Sequence, residues 1–291
     1  MSLEIFPLVP FFILIAALPV LVGKNRAEML YQKADSLTKE RWFYAVLFLC
    51  VFIPPYTQYG FSSFKDLVEI VSYVADFLIE NKLALVPYMP LFHAGLLLLL
   101  ISLFVFRNKF GQLFSFVVGV HFVFVTFLQG GANTDKYGLV LYPNSFLLFS
   151  LVSGSWFWEA SVRKTNFSFK RQPAKVFWFA GLVAFFSFWN PDKLGALSPL
   201  SLITSTSPIA YCMITPIYLS IYLLFYPDIN LPLFRITSFI GILVAVIVIG
   251  MGFFMENRLE GYYWSLLHSP MLVTTVYCFL LGIRTPRPQS G

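Results

Sequence analysis

Apolar residues run along this chain in nine stretches, near residues 5–22, 42–58, 85–106, 114–129, 139–158, 176–189, 202–225, 234–254 and 262–283. A helix needs roughly 20 mainly apolar residues to cross about 30 Å of hydrocarbon, and most of these stretches approach that length. Their apolarity is continuous, whereas barrel strands would alternate. In lipid, each helical segment satisfies its own backbone polar groups. The pattern predicts an all-α polytopic membrane protein with about nine transmembrane helices in one bundle. The polar connections, at most about twenty residues long, are too short for a separate core, so residues 1–291 read as a single integral membrane domain.

Residues 61–80 follow another rhythm. Phe64, Leu67, Val68, Val71, Val74 and Leu78 recur at helical spacing, while Lys65, Asp66, Glu69, Ser72 and Asp76 fill the opposite side. This predicts an amphipathic helix on the outer interface, capped by Ser62 or Ser63.

Charge orients the pattern. Lys24, Arg26, Lys33, Lys39, Arg41, Arg107, Lys109, Arg163, Lys164, Lys170, Arg171, Lys175, Arg235, Arg284 and Arg287 fall in the odd-numbered connections and the tail; Lys65, Lys82, Lys136, Lys193 and Arg258 fall in the others. Short basic loops stay cytoplasmic, so the N-terminus is predicted outside and the C-terminus cytoplasmic. Nine acids, Glu4, Asp66, Glu69, Asp76, Glu80, Asp135, Asp192, Glu256 and Glu260, share the outer side. The net charge of +6 is thus a property of the inner loops facing anionic lipid, and nucleic acid is not needed as a partner. Charged residues make up 12% of the chain, against about 25% in soluble domains, which excludes an ordinary soluble fold. Membrane lipids, and other membrane subunits, are the expected partners. A plasma membrane or bacterial inner membrane fits better than an organelle. The first stretch follows Met-Ser-Leu-Glu with no basic lead, so it reads as a retained helix.

Candidate chemistry is sparse. There is no P-loop, GxSxG, HExxH or histidine cluster, and no metal or cofactor is expected. Cys50, Cys212 and Cys278 sit within apolar stretches and read as small hydrophobes. Glu159 lies at the inner end of the fifth stretch, four residues before Arg163, the favourable order for a helical ion pair.

The strongest signal runs from Trp189 to Tyr222. The short sixth stretch ends in Trp189-Asn190-Pro191, and a hydroxyl-rich segment with Pro199 and Pro208 follows. Interrupted spans of this kind open backbone groups to a ligand. Thr204, Ser207, Tyr211, Thr215, Tyr218 and Tyr222 recur at steps of three and four, one face of a single helix. At the same outer depth come His93, Gln129, Asn144, Trp264 and His268. These residues are the expected lining of an outward-facing polar and aromatic cavity, with interhelical hydrogen bonding as their structural alternative. The third histidine, His121, reads as a satisfied bundle residue.

No catalytic motif emerges, and no catalytic residue is assigned. The function expected is a transporter or translocation subunit for a small neutral or amphiphilic solute. No buried charge pair is visible for ion coupling, which leaves facilitated movement or a partner ATPase. The alternatives are a non-catalytic scaffold or accessory subunit of a larger membrane complex, and an intramembrane enzyme acting on a lipid or isoprenoid. The enzyme would use His93 or His268 as base, with Asp135, Asp192 or Glu256 as partner.

Overall fold

The computed structural model describes residues 24–60, 70, 85–168, 172–190, 198–253 and 258–284. The first apolar stretch and, apart from Ile70, the amphipathic stretch 61–80 lie outside the described residues. The helices are α1 (Lys24–Leu37), α2 (Arg41–Cys50), α3 (Met89–Phe106), α4 (Asn108–Gln129), α5 (Pro143–Val162), α6 (Ala174–Trp189), α7 (Ser201–Thr204), α8 (Tyr211–Phe225), α9 (Leu231–Phe253) and α10 (Arg258–Arg284). Short 3₁₀ turns cover Val86–Tyr88 and Ser207–Ile209, and the strands are β1 (Tyr56–Thr57), β2 (Gly131–Thr134) and β3 (Gly138–Leu141). Among the described residues, four helical segments are long and apolar enough to cross a membrane: Val86–Phe106, Asn108–Gln129, Leu231–Phe253 and Arg258–Arg284. Counting Ser201–Ile209 plus Tyr211–Phe225 as one bent span makes five.

The hydrophobic pattern and the helices part company where proline intervenes. The second stretch stops being helical at Cys50, and after Pro54 and Pro55 the chain becomes β1, because proline lacks the N–H a helix needs and disfavours helix at the residue before it. The fifth stretch begins as β3, and its helix starts only at Pro143, where a fixed φ suits a first turn. A three-stranded antiparallel sheet, ordered β1-β3-β2, therefore joins the end of the second stretch to the start of the fifth, where helix was expected. In the β2–β3 turn the Thr134 hydroxyl accepts from the Tyr137 N–H and donates to the Gly138 carbonyl, and Gly138 takes φ +64°, a value glycine adopts freely.

Helix α8 is the hub. Every residue from Tyr211 to Phe225 except Cys212 is buried, as befits a helix apolar all round. The outer helices show the reverse. On α3, Leu91, Leu98 and Val105, seven residues apart, are 71%, 63% and 63% exposed, and α6 exposes Trp178, Leu182, Phe185 and Phe186. Apolar faces this continuous fit a hydrocarbon surround rather than water.

Hydrogen bonds gather the connections into two sets. At one end Lys164 pairs with Glu28, Asn108 donates to Asn166 and Ser168, Gln172 donates to the Leu224 and Tyr226 carbonyls, and Arg235 reaches both Asp35 and the Gly282 carbonyl. At the other end the sheet links residues 56–57 to 138–141, Asn144 donates to the Val51 carbonyl, and Gln129 donates to the Ile209 carbonyl.

Two charges depart from their expected settings. Glu159 makes no ion pair with Arg163, which closes α5 at φ 52°; its carboxylate instead accepts from the Thr165 N–H and the Asn230 side chain. Arg235 is not a loop charge, because α9 begins at Leu231 and places it in the second turn, fully buried. Its Nε donates to the Gly282 carbonyl at 2.8 Å, and its Nη1 donates to Asp35 Oδ1 at 2.8 Å and Thr38 Oγ1 at 3.1 Å. This clamps α1 to α9 and α10.

Partial burial pushes the Asp35 carboxyl up, but hydrogen bonds from Lys39 and Arg235 outweigh it and hold the group below its ordinary range. The clamp's contribution is therefore present above about pH 4 and is lost as pH falls through the lowered folded value. Replacing Asp35 by alanine strands a buried guanidinium and is expected to cost about 3 kcal/mol in the unfolding of detergent-solubilised protein. Asp35→Asn should lack the corresponding acid-induced step; a variant with wild-type stability and the same acid step would remove the clamp from the account.

Candidate functional site: a broken helix beside an apolar cavity

The segment 201–225 does not form one helix. It folds as α7, an irregular residue pair, a 3₁₀ turn and α8, with a 96° bend. Ser and Thr side chains compete for backbone hydrogen bonds, and Pro208 removes a donor while disfavouring helix at Ser207, so the run Ser205-Thr206-Ser207-Pro208 breaks the ladder. The expected single face of hydroxyls is therefore split. Thr204 and Ser207 lie before the bend, while Tyr211, Thr215, Tyr218 and Tyr222 lie on α8.

A break inside an apolar bundle frees carbonyls, and α4 supplies their donors. His121 Nε2 donates to the Pro208 carbonyl, and Gln129, two turns further on, donates to the Ile209 carbonyl at 3.3 Å. A carbonyl only accepts, so the His121 proton sits on Nε2, and Nδ1 accepts from the Tyr218 hydroxyl at 2.7 Å. Both ring nitrogens are engaged.

His93 holds the other side of the break. Its Nδ1 donates to the Met89 carbonyl at 3.0 Å, so Nε2 is an acceptor, and it faces Ser205 Oγ at 3.3 Å and Ser207 Oγ at 3.2 Å. The Ser207 hydroxyl lies 2.8 Å from the Phe188 carbonyl, one of the orphan carbonyls at the end of α6, and donates there; the Ser205 hydroxyl lies within reach of Ser207 Oγ at 3.1 Å and of the Phe188 carbonyl and the imidazole at 3.3 Å. The Phe188 ring stands edge-on to His93 with centroids 4.8 Å apart. His93, Ser205 and Ser207 are 2%, 2% and 0% exposed, so this is a dry pin between α3, α6 and the break. A serine and a histidine meet here, but the Met89 carbonyl occupies the nitrogen that an orienting carboxylate would take.

Beside the break, α3 and α4 enclose a cavity of about 680 Å³. Its walls are mostly apolar, with Phe92, Gly95, Leu96, Leu99 and Val117 among them, and the bonded pair His121 and Tyr218 stands on its inner side. Tyr88, Leu91 and Val120, which also line it, are 55%, 71% and 46% exposed, so it opens sideways through the outer surface of the bundle.

The expected site residues divide accordingly. His93, Gln129 and Ser207 converge on the break, and Trp189 joins them from α6, its indole N–H donating to the Ser198 carbonyl at 2.9 Å. Asn190, at φ 24°, ends α6 and is buried. Thr204 donates to its own helix at the Leu200 carbonyl. Asn144 ties the start of α5 to Val51. Tyr211 stacks on Phe149 at 4.0 Å, and Thr215 is fully buried; both hydroxyls face dry core. Trp264 and His268 pair with each other on α10, rings 4.5 Å apart, and His268 Nδ1 donates to the Trp264 carbonyl; neither lines the cavity. Sequence reasoning reads His121 as a satisfied bundle residue, as its two bonded ring nitrogens make it, but connects neither it nor Ser205 with the break. The available signal is spacing: His121 precedes Gln129 by eight residues, close to the same helical face. Among the described residues, no group of three or more His, Cys, Asp or Glu could hold a metal.

The His121–Tyr218 bond is expected to behave as a coupled unit in thermal unfolding. His121→Phe should cost about 2 kcal/mol by orphaning the Pro208 carbonyl, Tyr218→Phe about 1 kcal/mol, and the double variant about 1 kcal/mol less than their sum. Strict additivity would separate the two groups. Compared with protein family models, curated proteins and solved structures, the chain has no match, so its function rests on the chemistry of these residues.

Proposed function

We propose that this is a nine-span membrane protein, N-terminus outside and C-terminus cytoplasmic, acting as a transporter or translocation subunit for a small amphiphile. The amphiphile enters from the lipid between α3 and α4. The cavity carries this reading: at about 680 Å³ it falls within the range of small-molecule sites. It is walled by hydrocarbon, opens towards the bilayer, and ends at one hydrogen-bonding pair. Such a site suits an acyl or isoprenoid chain bearing a neutral polar group better than a water-borne solute. Tyr218 donates to His121 and is itself fully buried, so the pair gives the cavity a polar end that a neutral head group would abut. The closed surroundings of Tyr211 and Thr215 favour this lateral route over a polar column along α8.

Gly95 offers a direct test, because it lines the cavity and a side chain there would meet nothing within 4 Å. Gly95→Phe fills the cavity from a helix that tolerates the change. A photoactivatable lipid chain should label wild-type α3 and α4 in nanodiscs, and Gly95→Phe should reduce that labelling at least about tenfold at unchanged thermal stability, the equivalent of about 1.4 kcal/mol of affinity. Undiminished labelling of Gly95→Phe would overturn the site.

The orientation is supported by the gathering of the basic connections at one end. In a cysteine-free background, Lys136→Cys should react with a membrane-impermeant thiol reagent added outside, and Lys175→Cys only after permeabilisation. Labelling of both from one side would invert or dismantle the topology.

A further inference from the structure

The basic end holds a buried carboxylate that the cavity does not use. Glu159 is 1% exposed, and among the described residues no cation forms an ion pair with it. Oε1 accepts from the Thr165 backbone and Oε2 from Asn230 Nδ2, both at 2.7 Å, and the Lys164 N–H and the Thr165 hydroxyl also hydrogen-bond to the carboxylate. Asn230 Oδ1 in turn accepts from the Leu233 N–H in the first turn of α9, and the Thr165 hydroxyl accepts from the Asn230 N–H and reaches the Tyr222 hydroxyl at 3.2 Å. The carboxylate thus sits where α5, the 163–168 segment, α8 and α9 meet.

Beside it lies an alcove of about 30 Å³, lined by Asn108, Gln112, Arg163, Thr165 and Glu159 itself, with room for a single water and enough polar groups to hold it. The charged and titratable groups around the site are Arg163, on the alcove wall; Lys164, paired with Glu28; Tyr31 and Asp35 on α1, the latter bound to Arg235 and Lys39; Tyr222 on α8; Arg235 on α9; and Asp228 in the following connection. Burying a carboxylate with no paired cation costs several kcal/mol, a cost that proton uptake relieves.

We infer that Glu159 is a proton-exchange site, loaded and unloaded through the single-water alcove at the basic end of the bundle. A hydronium in the alcove gives a proton to a carboxylate oxygen, forming the O–H bond and leaving water; the reverse step returns it. Protonation removes the negative charge that strengthens the bonds from Thr165 and Asn230, and so slackens the tie between α5 and the cap of α9. This site stands independently of the lipid cavity.

Infrared difference spectroscopy against pH, on protein in nanodiscs, reads the site directly. As pH falls, the carbonyl band of a buried carboxylic acid should appear in wild type, vanish in Glu159→Gln and persist in Glu28→Gln, whose carboxylate is in an exposed ion pair. Asn230→Ala, which removes a donor to the charged form, should keep the band and move its midpoint up by about one pH unit. That variant decides the matter even if the Glu159→Gln protein does not fold. The inference is overturned by the lack of any such band between about pH 4 and 9, by its survival in Glu159→Gln, or by a midpoint indifferent to Asn230→Ala.

Discussion

A backbone group in hydrocarbon must find its hydrogen-bond partner within the protein, and the architecture around α8 follows from that constraint. The chain breaks its own helical ladder at residues 205–210, in the middle of an otherwise apolar segment. Neighbours then have to supply what the ladder no longer does. His121 and Gln129 on α4 take the freed carbonyls, and Ser205 and Ser207 satisfy the end of α6 and the His93 ring. The polar residues at this level are held to their places by the break. Their geometry is that of a rigid joint, and the cavity lies against that joint, so its one polar corner is preorganised by bonds that exist for structural reasons.

The opposite end uses charge where this end uses neutral hydrogen bonds. Arg235 and Glu159 are both buried there, and neither is a partner of the other. Arg235 is matched by Asp35 on α1, whereas Glu159 rests on N–H groups from Thr165 and Asn230. A guanidinium cannot shed its proton, so its counter-charge has to be permanent. A carboxylate can be neutralised by taking one up, so uncharged donors are enough to hold it.

Much of the class is legible in the sequence, because continuous apolarity needs no tertiary context to be seen. Neighbourhood is partly legible as well: His93, Ser207 and Gln129 do meet at the break. Angular position is not. Trp264 and His268, expected beside them, pair with each other on α10, and Tyr211 and Thr215 turn into the core, since nothing in a single sequence says which neighbour a helix face will meet. His121 is legible as a satisfied bundle residue, but its partners are not, for the same reason: Pro208 and Tyr218 lie 87 and 97 residues away. The hairpin of β2 and β3 is hidden because Leu139-Val140-Leu141 is as apolar as the helix that follows, and apolarity alone does not separate a short strand from a helix start. Arg235 is misread because three residues at a helix boundary decide whether a charge is a loop charge or a buried one.

Arg107 alone joins α3 to α4, at φ 52°, its N–H closing the first helix and its carbonyl opening the second. Two long helices fixed at one residue have a vertex there. They can separate only by opening like the arms of a pair of tweezers, widest at the far tips. The cavity lies between the arms, lined from Leu85 to Leu99 on one and from Val117 to Phe124 on the other, well away from the vertex. A change of angle at Arg107 therefore moves the cavity's walls far more than it moves the vertex.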